Sequence, residues 1–258
     1  MNTPLDIIYR DDHLVAIDKP AGLLVHPSLV DRRETRSAMH LLRDQIGCYV
    51  YPVHRLDKPT SGVLLFALSP EIARLLTDSF TRKAVEKRYL AVVRGHVAES
   101  GLIDHPLQEP QDKMTDRRAR KDKPPQQAVT GYRRLATLEL PLRVDRYPTS
   151  RYSLVEAHPL TGRKHQIRRH FKHLSHPIIG DTSYGKSNHN RLFNEVYECS
   201  RLLLAATQLT LDHPVTGERL ELRAALDRDF TRIVRLFEQP EFAASRSSPG
   251  MRGGSDIR

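Results

Sequence analysis

The sequence is poor in cysteine and has no long hydrophobic run. Cys48 and Cys199 are the only cysteines among 258 residues, which excludes a disulfide-stabilised scaffold and a zinc site built on paired Cys-x-x-Cys motifs. No stretch approaches the roughly 18 consecutive apolar residues of a membrane-spanning helix, and the first residues lack the basic and apolar segments of a signal peptide. We therefore expect a soluble cytoplasmic protein without membrane association.

Two common nucleotide-binding signatures are missing as well. No G-x-G-x-x-G motif follows a strand pattern and no G-x-x-x-x-G-K-[ST] motif occurs, so neither a dinucleotide site nor a nucleoside triphosphate site is indicated. A group of histidines follows Thr161, but their spacing lacks the i, i+4 pair of a zinc-protease helix and no cysteine or carboxylate cluster completes a metal shell. We therefore predict no metal and no cofactor. The histidines are His165, His170, His173 and His176.

Negative charge is the scarcer sign in this chain. There are 41 lysines and arginines against 31 aspartates and glutamates, which gives a formal net charge of +10. Such a surplus attracts polyanions, and it indicates nucleic acid as the first partner to consider. A generically basic soluble protein is the alternative that composition leaves open.

The apolar pattern indicates many short strands and few helices. Ser69-Pro70 is a typical helix start, a hydroxyl residue followed by proline at the first helical position. Because the strands lack a regular strand–helix–strand rhythm, we predict an α+β fold with a mixed, largely antiparallel sheet and flanking helices. The predicted strands are Leu5–Tyr9, Leu14–Asp18, Lys87–Gly95, Ala128–Leu140, Tyr152–Ala157, Leu202–Leu211 and Arg219–Leu226, and "LLVHP" is a strand or extended segment. The predicted helices are Thr35–Ile46, one from Pro70 through Phe80, His165–Leu174 and Phe230–Phe237.

We expect residues 1–238 to form a single domain. Residues 239–258 have no core-forming pattern and are expected to be a disordered tail. Residues 109–127 have almost no apolar content and carry six basic side chains between Lys113 and Lys123, which is typical of a long exposed loop or hairpin arm with a function. The cations assigned to nucleic-acid contact in this basic loop are Lys113, Arg117, Arg118 and Arg120.

The stretch "HRLDKPTSG" places one carboxylate, Asp57, among cations. Neighbouring Arg55 and Lys58 favour the ionised form of this side chain. An ionised, partly desolvated aspartate can act as a nucleophile at an electrophilic sugar carbon or as a general base. An aspartate that merely caps the turn before Gly62 is the competing interpretation.

A second constellation lies in residues 161–177, where a glycine loop runs into a helix. The helix start attracts anions, and no acidic residue offsets the cations between Arg163 and Pro177. This pattern favours a surface that faces phosphates, with a solvated basic helix face as the alternative. Tyr89 is either a half-buried core residue or a ring on which a base stacks. The cations are Arg163, Lys164, Arg168, Arg169 and Lys172.

Four motifs occur together in one chain. They are "KPAGLLVHP" (19–27), "HRLDKPTSG" (54–62), "KRYLAVVRG" (87–95) and "TGRKHQIRRHFKHLSHPIIGDTSYG" (161–185). With "HPVTGERL" near the end, the chain closely resembles the RluA-type pseudouridine synthases from about Leu5 to about Leu226. The resemblance implies the pseudouridine synthase catalytic fold. It also implies that a uridine is detached from its ribose, turned and rejoined through carbon 5, without cofactor or metal.

The resemblance also implies roles for individual residues. Asp57 matches the catalytic aspartate, which attacks the sugar C1′ or removes a sugar proton. Arg55 matches the arginine that fills the stack when the base flips out, and Tyr89 the aromatic residue against the flipped uracil. Arg168 matches the arginine that pairs with the aspartate, and Ile167 is the adjacent apolar contact.

The RNA target follows from the same resemblance. The chain is most similar to a subgroup that modifies tRNA at uridine 65, and it begins at the catalytic domain without an S4-type RNA-binding module. We expect a monomer that needs RNA but no obligate protein partner. Ribosomal RNA or another tRNA position, and a non-catalytic RNA-binding protein, remain as alternatives. One departure is Ala205 in "LLLAATQL", where the family commonly has a histidine.

Overall fold

Ten strands in the described part of the chain form one mixed sheet. The computed structural model describes residues 4–26, 36–109 and 124–238. The strands are β1 (Asp6–Arg10), β2 (Leu14–Lys19), β3 (Tyr51–Pro52), β4 (Ser61–Ala67), β5 (Glu86–Arg94), β6 (Ser100–Asp104), β7 (Val129–Leu140), β8 (Ser150–Pro159), β9 (Leu204–Asp212) and β10 (Arg219–Arg223). The helices are α1 (Ala38–Ile46), α2 (Pro70–Thr81), α3 (Gln166–His173), α4 (Ser187–Tyr197) and α5 (Arg228–Glu238).

The strand order is β1-β2-β4-β9-β5-β8-β7-β6, with β10 added beside β9 and β3 beside β4. All strand pairs are antiparallel except β4 with β9, which pair in parallel through Ser61–Ala205 and Gly62–Ala206. This architecture confirms the predicted α+β fold with a largely antiparallel mixed sheet. Residues 110–123 of the predicted basic loop and the predicted tail, 239–258, lie outside the described residues.

Serine side chains cap the starts of α1 and α2. The Ser69 side chain accepts the Ile72 N–H and Pro70 opens α2, as predicted. In α1 the Ser37 side chain accepts the His40 N–H, and Gly47 ends the helix at φ 74°. Left-handed backbone of this kind is favourable for glycine, because in other residues the β-carbon crowds the adjoining backbone carbonyl. The predicted start of α1 at Thr35 lies outside the described residues.

Helix α4 was not predicted. Its N-cap residue, Lys186, makes no side-chain capping bond, and its buried positions are His189, Phe193 and Tyr197. These lie at i, i+4 and i+8 on one face, but the first of them is a histidine and asparagines lie between them, which obscures the apolar period. In the "LLVHP" segment, predicted as a strand or an extended segment, Leu24 forms a parallel bridge with Ser37, and Pro27 lies outside the described residues. None of the helices in the described residues combines the length and hydrophobicity needed to cross a bilayer.

The buried side chains form separate apolar clusters around the sheet. One cluster packs α2 against β4, β9 and β10, and another packs α1 against β2 and β4. A third packs α3 against β5 and β8, and a fourth packs α4 and α5 against β7 and β8. The loop before β4 and the start of α3 meet where these clusters adjoin, and the cleft described below opens between them.

Candidate active site

A cleft of about 920 Å³ is lined by the loop before β4, strand β5, the end of α2 and the start of α3. Cleft-lining residues include every catalytic and substrate-binding residue predicted from sequence. These residues come from three separate stretches of the chain, so the fold brings them together. They are Arg55, Asp57, Tyr89, Ile167 and Arg168.

Asp57 faces this cleft with one oxygen held and the other less constrained. Its Oδ2 accepts a hydrogen bond from Arg168 Nη1 at 3.0 Å, and its Oδ1 lies 3.8 Å from His165 Nε2. The side chain is 25% exposed, so it is accessible to a ligand but largely withdrawn from solvent. The Thr60 N–H donates to the Asp57 carbonyl at 3.0 Å and closes the turn.

Arg168 is fixed from its other side by Asp181. Its Nε donates to Asp181 Oδ2 at 2.7 Å and its Nη2 to Oδ1 at 2.9 Å. The Arg168 side chain is 4% exposed and that of Asp181 is 1% exposed. Bidentate hydrogen bonding of this kind fixes the orientation of the guanidinium plane as well as its position. We call Asp57, Arg168 and Asp181 the arginine–carboxylate cluster.

The charges of this cluster stabilise one another. Burial lowers the pKa of Arg168, but hydrogen bonds and charge interactions with Asp181 and Asp57 outweigh burial and raise it above its ordinary value. Burial raises the pKa of Asp181, yet the Arg168 hydrogen bond and the N–H groups of Tyr184 and Ser183 bring it below its ordinary value. Arg168 and Asp181 are therefore both charged at neutral pH.

Two glycines allow the chain to approach closely enough for this geometry. Gly62, at φ 111°, lies where β4 meets β9, and a β-carbon there would collide with the Ala206 carbonyl. Gly180, at φ 78°, immediately precedes Asp181, and a β-carbon there would collide with the Arg201 carbonyl. Only glycine fits positions that combine left-handed backbone with such contacts.

A buried lysine ties the loop that carries Asp57 to the end of β2. Lys19 Nζ donates to the carbonyls of Pro20 and Leu23, each at 2.9 Å, and to that of Lys58 at 3.2 Å. The Gly22 N–H donates to the same Lys58 carbonyl. Burial lowers the pKa of Lys19 to about 7, with the charge of Arg201 adding to the effect. Lys19 thus supports the turn next to Asp57.

Tyr89 and Ile167 contribute apolar surface to the cleft next to Asp57. Tyr89 is half-buried and packs against two core clusters. Burial, with the negative charge of Asp57 as a second cause, raises the pKa of Tyr89, which keeps its hydroxyl protonated. Ile167 is 6% exposed. An aromatic ring and a branched aliphatic side chain next to a carboxylate suit a flat, uncharged ring as ligand.

His165 has an unusual backbone and a defined partner. It precedes α3 at φ 57° in the left-handed region, which is costly for a residue other than glycine and is common at functional sites. Its Nδ1 lies 2.9 Å from the Tyr184 hydroxyl. Burial lowers the pKa of His165 and outweighs the opposing charge of Asp57, so this imidazole is neutral at neutral pH.

The predicted RNA-binding cations are placed around the cleft, so far as they are described. Arg163 and Lys164 are exposed, and Arg169 is half-buried. Arg163 Nε donates to the Gln127 carbonyl at 3.1 Å. Arg55 is exposed beside Asp57. Lys113, Arg117, Arg118 and Arg120 lie outside the described residues.

The other histidines of α3 and its flanks have structural partners. His170 lies 2.9 Å from Thr130 Oγ1 and 3.1 Å from the His105 carbonyl. His173 stacks on His105 with ring centroids 3.7 Å apart, and His176 lies 2.7 Å from the Arg94 carbonyl. Within residues 4–26, 36–109 and 124–238, no group of three or more His, Cys, Asp or Glu side chains could hold a metal.

Asp181 and Gln166 were missed by sequence reasoning. Asp181 is the first acidic residue after the cations of residues 163–172, and that position could have identified it as their partner. Gln166 is buried and joins the start of α3 to β7, since its Nε2 donates to the Val129 carbonyl and Thr130 Oγ1. The Thr161 hydroxyl and the Arg163 N–H donate to its Oε1.

The arrangement defines what this site can do chemically. A carboxylate clasped on one oxygen by a buried guanidinium has its second oxygen available at the cleft. Such a group can attack an electrophilic carbon or accept a proton. The adjacent aromatic and aliphatic side chains accommodate a planar ring, and the surrounding cations suit a phosphate backbone.

Comparison with known proteins assigns the family. The model of the RNA pseudouridylate synthase family matches residues 13–173. A tRNA pseudouridine synthase C of Pectobacterium carotovorum subsp. carotovorum is 53% identical over 235 residues, which are 91% of this chain and 62% of that protein. The protein of the same name from Pasteurella multocida (strain Pm70) is 52% identical over 234 residues, which are 91% of this chain and 96% of that protein.

A solved structure agrees with these relatives. Human RNA Pseudouridylate Synthase Domain Containing 4 superposes with a TM-score of 0.66 at 29% identity, over 90% of this chain and 93% of that chain. The match to the family model covers more than half of the present sequence and includes Asp57, Tyr89 and Arg168. The chain therefore belongs to the RNA pseudouridylate synthase family and is an isomerase.

Proposed function

We propose that this enzyme isomerises uridine to pseudouridine in tRNA, at uridine 65, with Asp57 as the catalytic carboxylate. The observation that carries the proposal is the 3.0 Å hydrogen bond from Arg168 to Asp57 in a cleft that also contains Tyr89 and Ile167. Asp181 holds Arg168 from behind. The carboxylate is thereby presented to a ligand in a fixed orientation.

The reaction exchanges one bond to the sugar for another. The N1–C1′ bond of the uridine breaks, the ring turns, and a C5–C1′ bond forms; the C5 proton leaves and N1 gains a proton. Asp57 serves either by attacking C1′ or by removing a sugar proton after the base departs. In both routes the oxygen that is not held by Arg168 would be the one that reaches the sugar, and no cofactor is required.

The target base must leave the helical stack to reach Asp57. Flipping a nucleotide costs a few kcal/mol, and exposed Arg55, next to the catalytic loop, is suited to fill the vacated position. Tyr89 would pack against the flipped uracil, with Ile167 beside it. Base–aromatic stacking contributes about 1–3 kcal/mol, enough to offset much of the cost of flipping.

Positive charge around the cleft supports an RNA substrate. Arg163, Lys164 and Arg169 surround the start of α3, and the net charge of the chain is +10. The choice of tRNA rests on the relatives named tRNA pseudouridine synthase C. Because the substrate is cytoplasmic, we infer a cytoplasmic enzyme that acts as a monomer, with residues 1–238 as one catalytic domain and the segment 109–127 in contact with RNA.

Carbodiimide mapping of pseudouridine tests this proposal. We expect the signal at tRNA uridine 65 to disappear in cells lacking the protein, to return with the wild-type chain, and to stay absent with Asp57→Ala. A signal that changes in ribosomal RNA or at another tRNA position would contradict the target. An unchanged pseudouridine pattern, with tRNA still bound by the purified protein, would instead indicate a non-catalytic RNA-binding protein.

A further inference from the structure

The cleft extends past Asp57 and Tyr89 towards the end of α2. A cleft of about 920 Å³ is near the upper end of the roughly 300–1,000 Å³ that ligand pockets span, and it exceeds what one flipped nucleoside requires. We call the far side of this cleft the lysine wall. It consists of Thr77, Phe80, Thr81, Lys83 and Lys87.

Lys87 is a half-buried cation without a counter-charge. It precedes Tyr89 by two positions on β5, so both side chains leave the strand on the same side, and both line the cleft. Burial lowers the pKa of Lys87, and no carboxylate opposes this effect. Among residues 4–26, 36–109 and 124–238, its ammonium has no hydrogen bond or ion pair. A partly buried charge of this kind is unfavourable unless an anion joins it.

Lys83 lines the same wall from an unusual backbone position. It follows α2 at φ 59°, and the Ala84 N–H donates to the Ser79 carbonyl across it. Glycine is the usual residue at such a helix end, because left-handed backbone is unfavourable for residues with a β-carbon. Its exposed ammonium likewise has no carboxylate partner in the described chain.

The remaining groups of the lysine wall are already engaged. The hydroxyls of Thr77 and Thr81 donate to the helix carbonyls of Ala73 and Thr77. The Phe80 ring stacks on His54 with centroids 5.0 Å apart. The wall therefore offers charge but neither a free hydrogen-bond pattern for a base edge nor an open ring for stacking. This combination suits a backbone phosphate, which is bound without regard to sequence.

We propose that Lys83 and Lys87 bind a backbone phosphate of the RNA strand next to the nucleotide that enters at Asp57. The inference rests on the proposed function, because it takes RNA as the substrate of the same cleft. It adds a second contact to the strand, at the part of the cleft formed by the end of α2 and the start of β5. The negative charge that a detached uracil ring carries is the competing partner for Lys87, and the experiment separates the two.

The test measures the salt dependence of tRNA binding in the Asp57→Asn background, where turnover is prevented. Lys87→Met keeps most of the side-chain length and removes the charge. We expect the plot of log affinity against log salt to become shallower by about 0.7–0.9, the loss of one phosphate contact. The affinity gap between variant and parent should then narrow about threefold between 50 and 200 mM salt.

Three controls isolate the charge. Lys87→Arg should retain the parental slope, and Arg235→Gln should leave it unchanged because exposed Arg235 lines a separate cavity. Thermal unfolding of each variant verifies equal folding. In a short RNA hairpin, one neutral methylphosphonate linkage is moved through the positions flanking the target uridine. At one position the neutral linkage should weaken binding by the parent, and at that same position it should weaken binding by Lys87→Met and by Lys83→Met less than it weakens the parent.

Two outcomes would overturn the proposal. In the first, Lys87→Met leaves the salt slope unchanged in the Asp57→Asn background but abolishes turnover when Asp57 is intact. This result would assign Lys87 to the charged uracil ring. An unchanged slope with normal turnover would leave Lys87 without a ligand role. The failure of the proposed function is recognised separately, because wild-type protein would then bind the same tRNA without forming pseudouridine.

Discussion

The arginine–carboxylate cluster and the lysine wall use positive charge in opposite ways. Arg168 is buried between Asp57 and Asp181, and each of its three guanidinium nitrogens donates a hydrogen bond to one of these carboxylates. Lys87 is half-buried in the same cleft and has no counter-charge in the described chain. A cation that positions a catalytic acid must be immobilised and neutralised, whereas a cation that binds a ligand must retain its charge for that ligand.

Replacing Asp57 gives the largest expected contrast between the two regions. Asp57→Asn keeps the shape of the side chain and removes its nucleophilic and basic capacity, so pseudouridine formation should be abolished while tRNA affinity stays nearly intact. Turnover is measured by tritium release from 5-tritiated uridine in tRNA, and affinity by filter binding. Residual turnover within about tenfold of wild type would remove Asp57 from the chemistry.

Asp181→Asn should weaken the arginine–carboxylate cluster by removing the negative charge that faces Arg168 on the side away from Asp57. The substitution leaves the buried guanidinium of Arg168 without its bidentate carboxylate partner. Removing one partner of a buried ion pair costs about 3–5 kcal/mol of stability. We expect turnover to fall about 100-fold, because small misplacements of catalytic groups have effects of this size. Asp145→Asn is the matched control, since Asp145 pairs with Arg94 at the surface. Equal turnover in the two variants at equal folded fraction would show that Asp181 has only a structural role.

Tyr89→Leu tests whether the Tyr89 ring stacks on the substrate base. Loss of base stacking should slow turnover by roughly 5- to 150-fold, the equivalent of about 1–3 kcal/mol. Leu75→Ala is the comparison, because Leu75 lies on α2 with 40% of its surface exposed. If both variants slow turnover equally at the same folded fraction, Tyr89 is a core residue and no more.

His54, beneath the lysine wall, should change stability with pH. Its Nε2 accepts the Leu65 N–H at 3.0 Å, and burial lowers its pKa from 6.5 to about 3. Below pH 6.5, His54 is therefore protonated in the unfolded chain, whereas in the folded chain it stays neutral down to about pH 3. The contribution to the free energy of unfolding is complete above pH 6.5 and falls by up to about 1.4 kcal/mol per pH unit below it.

Urea unfolding of wild type and His54→Gln between pH 4 and pH 7 measures this effect. The variant should lack this part of the slope, because the glutamine oxygen can accept a hydrogen bond and does not titrate. His96→Gln, at an exposed position, should leave the slope as it is. A wild-type slope retained by His54→Gln would show that another group takes up the proton.

Most strands were predictable because each is encoded locally, whereas the short strands β3 and β6 were not predicted. Apolar alternation identified β5, β7 and β8 within a few residues, and Ser69-Pro70 located the start of α2. Asp57 and Arg168 could be named from motifs that surround them. Asp181 was missed although it follows the cations of residues 163–172, because the contact that places it, Gly180 against the Arg201 backbone, joins segments that local pattern does not connect.

Lys87 is a second residue whose role could not be inferred from local sequence. Its place beside Tyr89 in "KRYL" was visible, but the absence of a counter-charge is a property of the folded surroundings. Helix α4 escaped notice because its buried face includes His189, which binds the Tyr152 hydroxyl at 2.8 Å. Polar residues used as core members interrupt the periodicity on which sequence reasoning depends.

The bond from Arg168 to Asp57 joins residues 111 positions apart. A nascent chain that has emerged only as far as β5 already contains Asp57 and Tyr89, but it lacks the Arg168 guanidinium that orients the Asp57 carboxylate. With Asp57 as the proposed catalytic carboxylate, an unfinished chain on the ribosome would stay inactive towards nearby uridines until α3 has been synthesised and has docked.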